Sequence, residues 1–289
     1  MQFPKTMVLG ATGRIGMILR KSWDPQAISW QTRKPQAGAG WVVLDPLTDP
    51  ESLKRAADGC EAILCLAGVV PGRSGAGQSG AGKPGAIADN IALAEAALRV
   101  AAPGARVLLA SSAAVYGATP GLLREDHPPV PLSEYGRAKA VMERRGAELG
   151  AARGVAVTAL RIGNVAGVDA ILGGWAPGFR LDQFADGRTP RRSYIGVQTL
   201  ARVLRDLIIA PDLPGILNVA APGAIEMGAL LKAADLDWTP RPAPDTAIAK
   251  VELCTGRLAR FIRFDADDSS AAAMVAQWRK AGSDKGQTA

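Results

Sequence analysis

The apolar positions of this chain fall into short unbroken runs, and most are followed by stretches in which apolar residues recur at helical spacing. The runs are "TMVLG", "AISW", "WVVL", "EAILCLAG", "ARVLLASS" and "VAVTALRIG". Strands that alternate with helices are typical of parallel crossovers, and continuous apolar runs are typical of strands covered on both faces. The pattern therefore predicts an α/β fold, a doubly wound parallel sheet of the Rossmann type.

The alternation weakens after residue 163. A segment rich in glycine and proline follows, "GNVAGVDAILGGWAPGF". Beyond it we predict a helix at "VQTLARVLRDLIIA", a strand at "GILNVA" and a helix at "MGALLKAA". We therefore expect a main domain over residues 1–163 and a small C-terminal lobe over residues 164–289, some of whose elements return to the main sheet.

Composition narrows the class of protein. With 289 residues, 48% of them hydrophobic, the chain can bury one sizeable core and a smaller lobe. No leader segment and no apolar run of about 18 residues is visible, so we expect a cytoplasmic protein without a membrane span. The three cysteines are irregularly spaced, which predicts neither disulfides nor a metal site.

The net charge of +7 does not predict nucleic-acid binding, because the lysines and arginines are scattered and few aromatic residues lie between them. A mildly positive surface that attracts a small anionic molecule explains the charge as well. We therefore expect a small-molecule substrate.

A glycine loop, "GATGRIG", directly follows the first apolar run and opens the first predicted helix. Gly10 permits a tight turn, Gly13 lets the backbone approach a pyrophosphate, and Gly16 lets the helix pack on the strand. The amides at the start of the helix would face the anion. In this context the motif predicts a dinucleotide-binding turn.

A second glycine-rich stretch spans residues 68–86. Inside it, Gly77-x-x-x-x-Gly82-Lys83 imitates a phosphate loop. Pro84 stands where such a loop needs a serine or threonine, and no strand leads directly into it. We interpret the stretch as a flexible loop or lid.

Tyr135 and Lys139 lie four residues apart in the opening turns of a predicted helix, so both side chains share one face. A free phenol has a pKa near 10 and is a poor base at neutral pH. An ammonium about 5 Å away would favour the phenolate by roughly 3 kcal/mol at an effective dielectric of about 20. The spacing therefore predicts that Lys139 lowers the pKa of Tyr135 and makes it an acid/base.

Three motifs together resemble the extended short-chain dehydrogenase/reductase family, in its epimerase and dehydratase branch. They are the glycine loop with its G-x-x-G-x-x-G spacing, "SSAAVYG", and Tyr135-x-x-x-Lys139. The stretches "LRIGNVAG" and "RRSYIGVQTLARVL" extend the resemblance over nearly the whole chain. It implies an NAD(P)-dependent enzyme, with a dinucleotide-binding domain over 1–163 and a substrate lobe over 164–289.

The resemblance also implies roles for single residues. Tyr135 would exchange the proton of the substrate hydroxyl, Lys139 would also hold the cofactor's ribose, and Ser112 would hydrogen-bond the reacting oxygen. The substrate contacts it implies are Ser112, Tyr116, Asn164 and Arg192. The cofactor contacts it implies are Gly10, Thr12, Gly13, Arg14, Ile15, Gly16, Arg33, Asp45, Leu66, Ala67, Gly68, Ser111, Tyr135, Lys139 and Ile162.

The end of the second strand bears on the choice of cofactor. An acidic residue there would bind the ribose hydroxyls of NAD, whereas an arginine suits the extra phosphate of NADP. The strand ends "AISWQTRKP", with Arg33 in that neighbourhood and no carboxylate. NADP is favoured, with NAD as the alternative.

The residues that follow Ser112 limit which reactions we expect. Ala113 and Ala114 stand where a dehydratase of this family has an acid pair, which disfavours elimination of water. Hydride transfer at a secondary alcohol or ketone remains, as a sugar or nucleotide-sugar epimerase or dehydrogenase. "NVAG" in place of "NVYG", Gln198-Thr199 in place of an acidic pair, and the short lobe weaken the sugar-nucleotide interpretation.

Two alternatives stay open: an NADPH-dependent carbonyl reductase on a non-nucleotide substrate, and a non-catalytic NADP-binding sensor or assembly factor. The intact Tyr135/Lys139 pair favours an enzyme. The stretches "AIADNIALAEAALRVA" and "SEYGRAKAVMERRGAEL" resemble helices that form a dimer interface in relatives, so a homodimer is also expected.

Overall fold

A computed structural model describes residues 3–69 and 85–283. The phosphate-loop imitation at Gly77 to Lys83 lies outside the described residues. The chain divides into two compact units, each made of several segments. Unit 1 consists of Met1–Gly117, Pro129–Arg161 and Leu207–Leu217, and unit 2 consists of Ala118–Pro128, Ile162–Asp206 and Asn218–Ala289. Within the described ranges, no helix is long and apolar enough to cross a membrane.

The predicted strands and helices occur in the predicted order, and the described residues add eight short strands and a C-terminal helix. The helices are α1 (Arg14–Ser22), α2 (Pro50–Ala57), α3 (Gly85–Val100), α4 (Glu134–Arg153), α5 (Val197–Ile209), α6 (Met227–Ala233) and α7 (Ala271–Ser283). The strands are β1 (Thr6–Leu9), β2 (Ile28–Thr32), β3 (Trp41–Val43), β4 (Ala62–Cys65), β5 (Arg106–Ser112), β6 (Leu122–Leu123), β7 (Ala156–Ile162), β8 (Asn164–Val165), β9 (Arg180–Gln183), β10 (Arg191–Arg192), β11 (Tyr194–Ile195), β12 (Ile216–Val219), β13 (Ile225–Glu226), β14 (Thr239–Pro242) and β15 (Lys250–Leu253).

Seven strands form the main sheet, in the order β12-β7-β5-β4-β1-β2-β3. Strand β1 pairs in parallel with β2 on one side and β4 on the other. All four residues of β1 and all four of β4 are buried, as is typical of strands covered on both faces. The predicted doubly wound parallel sheet is confirmed, and β12 is the predicted element that returns to it from the C-terminal third.

Unit 2 contains three small sheets, β13-β10-β15-β6, β11-β8 and β14-β9. Its core includes Leu230 and Leu231 of α6 and Met274 of α7, with Trp175, Trp238 and Trp278 packed against it. The Gly/Pro-rich segment after residue 163 therefore belongs to a packed unit with a hydrophobic core of its own.

The start of α5 carries Gln198 and Thr199, which depart from the family pattern. Gln198 and Thr199 replace the expected acidic pair, and their backbone amides donate instead to Oε1 of Gln277, at 3.0 and 3.1 Å. The Thr199 hydroxyl donates to Oδ1 of Asp268 at 2.7 Å. The first amides of a helix need a hydrogen-bond acceptor. At the start of α5 the side chain of Gln277, which is distant in sequence, is that acceptor.

Candidate active site

Tyr135 and Lys139 lie in the first two turns of α4. The helix begins at Glu134 because the Oγ of Ser133 accepts a hydrogen bond from the Gly136 amide at 3.1 Å, a typical N-cap. The Nζ of Lys139 lies 5.7 Å from the centre of the Tyr135 ring. Tyr135 is half-buried and Lys139 is buried, so a ligand can reach the phenol more readily than the amine.

The ammonium of Lys139 is held by the end of a neighbouring strand. Its Nζ donates to the backbone carbonyl of Ala110 in β5 at 2.7 Å. Burial lowers the pKa of Lys139 to about 8, while the nearby Cys65 and Glu143 act in the opposite direction. The buried ammonium is therefore much closer to losing its proton than an ordinary lysine.

The effect that we predict for Lys139 on the pKa of Tyr135 stays a prediction, because burial dominates that pKa in the protein on its own. Burial raises the pKa of Tyr135 above its ordinary value of 10.0, and the groups that lower it are Ser112, by a hydrogen bond, and Arg14, by its charge. The physical reason is that burial penalises the charged phenolate more than these neighbours favour it.

Ser112 and Ser111 end β5 and have different environments. Ser112 caps a short 3₁₀ turn over Ala113–Tyr116, and its Oγ accepts from the Ala114 amide at 3.2 Å. Its side chain also lowers the pKa of the nearby Tyr135 phenol. Ser111 is buried and donates to Oε1 of Glu143 at 2.5 Å. The hydroxyl proton of Ser111 is thus directed at Glu143, and the predicted cofactor contact there stays a prediction.

The glycine loop has the geometry of a cradle. Gly10 adopts a positive φ of 79°, and a Cβ there would lie 2.6 Å from the backbone nitrogen of Ala67. A Cβ on Gly16 would lie 2.5 Å from the carbonyl oxygen of Ala11. The N-cap of α1 is Gly13, which offers no side chain to the first amides, and the first turn holds no acidic residue. These residues fit an anionic pyrophosphate.

The other predicted cofactor residues lie around the same turn or at strand ends. Thr12 and Arg14 are exposed and Ile15 is half-buried. Arg33 follows β2 directly and is exposed. Asp45 follows β3, and its Oδ1 accepts from the Leu47 amide at 2.9 Å. Leu66, Ala67 and Gly68 follow β4, and Ile162 is the buried last residue of β7.

Two buried polar residues that position the site escaped the sequence prediction. The side chain of Gln31 accepts from the Gly10 amide at 2.9 Å and donates to the Leu44 carbonyl at 2.8 Å, which ties the glycine turn to β2 and β3. The side chain of Asn90 in α3 bonds to both backbone groups of Val69, at 3.2 and 3.0 Å. In the sequence, each of them is indicated by a polar residue within an apolar stretch, "AISWQT" for Gln31 and "ADNIALA" for Asn90.

The predicted substrate contacts differ in accessibility. Tyr116 is 0% exposed, with the Arg161 guanidinium 4.7 Å from the centre of its ring, so as the chain stands it offers no surface to a substrate. In unit 2, Asn164 opens β8 and pairs in register with Tyr194. Arg192 ends β10 and is half-buried, and burial lowers its pKa.

Comparison with known proteins finds relatives of this chain. The model of the NAD dependent epimerase/dehydratase family matches residues 6–208. A UDP-glucose 4-epimerase of Azospirillum brasilense is 41% identical over 83 residues, a match that spans 28% of this chain and 23% of that protein. The chain therefore matches less than a quarter of the length of this curated relative.

Two solved structures have the same fold. The UDP-glucose 4-epimerase of Thermus thermophilus in complex with NAD is 18% identical with a TM-score of 0.68, over 95% of this chain and 98% of that one. The L-threonine dehydrogenase of Clostridium difficile is 17% identical with a TM-score of 0.74, over 99% of both chains. At such identities the likeness confirms the fold.

Proposed function

The chain belongs to the NAD dependent epimerase/dehydratase family, a family of enzymes, and we propose that it transfers hydride at a secondary alcohol or ketone of a sugar or nucleotide sugar. The predicted family and the prediction of an enzyme are confirmed. The partly matching relative is a UDP-glucose 4-epimerase, which supports this substrate class. In this proposal residues 1–163 bind the dinucleotide, and residues 164–289 form the substrate lobe that contributes Asn164 and Arg192.

The observation that carries the proposal is the convergence of three groups. Tyr135 is half-buried, the Ser112 side chain is close enough to lower the pKa of its phenol, and the Lys139 ammonium lies 5.7 Å from its ring. A phenol beside a serine hydroxyl and a cation is suited to exchange a proton with a substrate oxygen. Ser112 would orient that oxygen, and Tyr135 would give or take its proton.

The direction of proton transfer follows from the pKa of Tyr135. Burial raises it, so at neutral pH the phenol is protonated and ready to donate its proton to a ketone oxygen. Oxidation of an alcohol requires the phenolate instead, which the charge of Arg14 and an oxidised cofactor nearby would both favour. The reduction direction therefore starts from the form in which the free protein holds Tyr135.

The residues fit a nicotinamide dinucleotide, which when bound supplies the hydride acceptor and donor. Gly10, Gly13 and the first amides of α1 would hold the pyrophosphate. Arg33 at the end of β2 favours NADP, because its guanidinium suits an additional phosphate. Binding of NAD by the Thermus thermophilus structure keeps NAD as the alternative.

Tyr135→Phe tests the proposal. The variant keeps the ring and loses the proton-transferring oxygen, so we expect turnover to fall by about 10²- to 10⁴-fold. The Kd of the dinucleotide, measured by fluorescence titration, should change little. Unchanged biological activity would contradict catalysis by this residue and would favour the non-catalytic sensor.

Epimerase and reductase differ in the fate of the cofactor. An epimerase should purify with bound NAD and turn over nucleotide sugar without net change in absorbance at the reduced-nicotinamide band. A carbonyl reductase should consume added NADPH with a non-nucleotide ketone. Ala166 and the Gln198-Thr199 pair, which depart from the family pattern, favour this second candidate. A cytoplasmic homodimer that acts on an anionic small molecule remains part of the proposal.

A further inference from the structure

Helix α4 contacts the end of β5 through three side chains that lie one helical turn apart. Positions four residues apart share a helix face, so these side chains form a single row. Each member reaches a different residue of the strand end. The pairs are Tyr135 with the Ser112 side chain, Lys139 Nζ with the Ala110 carbonyl, and Glu143 Oε1 with the Ser111 hydroxyl.

Glu143, the third member of the row, also binds Arg161 of β7. Arg161 Nη2 lies 2.8 Å from Oε2 of Glu143, and its Nε lies 3.1 Å from Oε1. The two side chains are 2% and 5% exposed. A two-point guanidinium–carboxylate contact has a defined geometry, so the carboxylate has little freedom to follow a shift of its partner serine.

We propose that Glu143, held by Arg161 and acting through Ser111, is a positioning residue that sets where the end of β5 lies against α4. It rests on the proposed function of Tyr135. Ser111 and Ser112 are consecutive residues of a strand, so a bond that holds one also restrains the backbone of the other. The position of Ser112 relative to the Tyr135 hydroxyl then depends on the 2.5 Å bond between Ser111 and Glu143.

The alternative is that this network only stabilises the fold. A buried ion pair is weak support for stability, because desolvation offsets much of the attraction between the charges. Small misplacement of catalytic groups, by contrast, can reduce turnover strongly. The two roles are separable because a structural role changes the folded fraction, whereas a positioning role changes kcat of the folded enzyme.

Ser111→Ala is the decisive variant, because it removes the link and leaves the Glu143–Arg161 pair intact. Glu143→Gln is less informative, since it would leave the Arg161 charge buried without its counter-ion. We expect Ser111→Ala to lower kcat about three- to tenfold, the size of one lost hydrogen bond. The KM for the cofactor should stay close to wild type. The thermal midpoint should fall, because the buried Glu143 carboxylate loses a hydrogen-bond donor, so kcat is compared per folded molecule. Ser111→Thr, which restores a hydroxyl, should recover most of kcat.

Glu148→Gln is the matched control, because Glu148 lies on the same helix in an exposed pair with Arg144 and should leave kcat unchanged. The proposal is overturned if Ser111→Ala keeps wild-type kcat, if its loss appears in the cofactor KM, or if Ser111→Thr folds without recovering kcat. Tyr135→Phe is measured in parallel. If it retains turnover, the proposed function fails. If it loses turnover while Ser111→Ala does not, only the positioning role fails.

Discussion

Tyr135 of unit 1 and Tyr194 of unit 2 lie in different environments, and the contrast between them supports the proposed role of Tyr135 in proton transfer. Burial raises the pKa of both phenols. Tyr135 is half-buried, whereas Tyr194 is 1% exposed. Tyr194 donates to Oδ2 of Asp169 at 2.8 Å, and the charge of that carboxylate raises its pKa further.

The difference teaches that burial alone does not make a tyrosine catalytic. The groups around Tyr135 that act on its ionisation, Ser112 and Arg14, favour the phenolate. Asp169 beside Tyr194 opposes it, and keeps the proton on the phenol as a hydrogen-bond donor. Access for a ligand and the sign of the neighbouring charge separate an acid/base from a structural hydrogen bond.

The largest effect that sharpens this contrast is expected from Lys139→Met, which removes the cation beside Tyr135. Turnover should fall at least 10²-fold, as for the loss of an acid/base partner. Stability should rise at the same time. A buried ammonium whose pKa drops from 10.5 to about 8 costs about 3 kcal/mol at neutral pH. Loss of the hydrogen bond to Ala110 offsets about 1 kcal/mol of this gain in stability.

The pH dependence of stability tests whether burying the Lys139 ammonium destabilises the protein. Below about pH 8 Lys139 is charged in both the folded and the unfolded chain, so the full cost of burying the ammonium is present. Between about pH 8 and 10.5 the unfolded chain binds more protons, so wild-type stability rises relative to the variant. Denaturant unfolding at pH 7 and pH 10 measures it. Two results would contradict the cost of burying the ammonium: a variant that is less stable than wild type at pH 7, or a stability difference between the two that does not narrow at pH 10.

Tyr194→Phe tests the other side of the contrast. It removes the hydroxyl that donates to the half-buried Asp169, whose Oδ1 still accepts from the Leu172 amide at 3.1 Å. A hydrogen bond to a charged group contributes about 2 kcal/mol, so we expect the free energy of unfolding to fall by about that amount. Turnover per folded molecule should stay within about threefold. A loss like that of Tyr135→Phe would break the contrast.

The smallest effect concerns the N-cap of α4. Ser133→Ala removes the acceptor of the Gly136 amide and should lower the free energy of unfolding by about 1 kcal/mol. Asp49→Ala is the matched control, because Asp49 caps α2 by accepting from the Ser52 amide at 3.0 Å. Both variants should lose similar stability in denaturant unfolding. Only Ser133→Ala should also lower turnover, by a few-fold, because the first turn of α4 carries Tyr135. Equal turnover in the two variants would contradict this.

Local features of the sequence determined much of this protein. Continuous apolar runs, which are typical of strands buried on both faces, predicted the parallel sheet. The spacing of Gly10, Gly13 and Gly16 predicted a turn that a Cβ would obstruct. The i, i+4 spacing of Tyr135 and Lys139 placed both side chains on one face of α4. These features follow from backbone geometry, which acts over a few residues.

Only the tertiary structure decided which charge acts on which group. The Lys139 ammonium bonds to Ala110, 29 residues away, and Arg14 of the glycine loop acts on Tyr135. Gln31, Asn90 and Glu143 acquire their roles from partners on other strands and loops. Electrostatic effects depend on distance in space and on burial, which the order of residues along the chain does not contain.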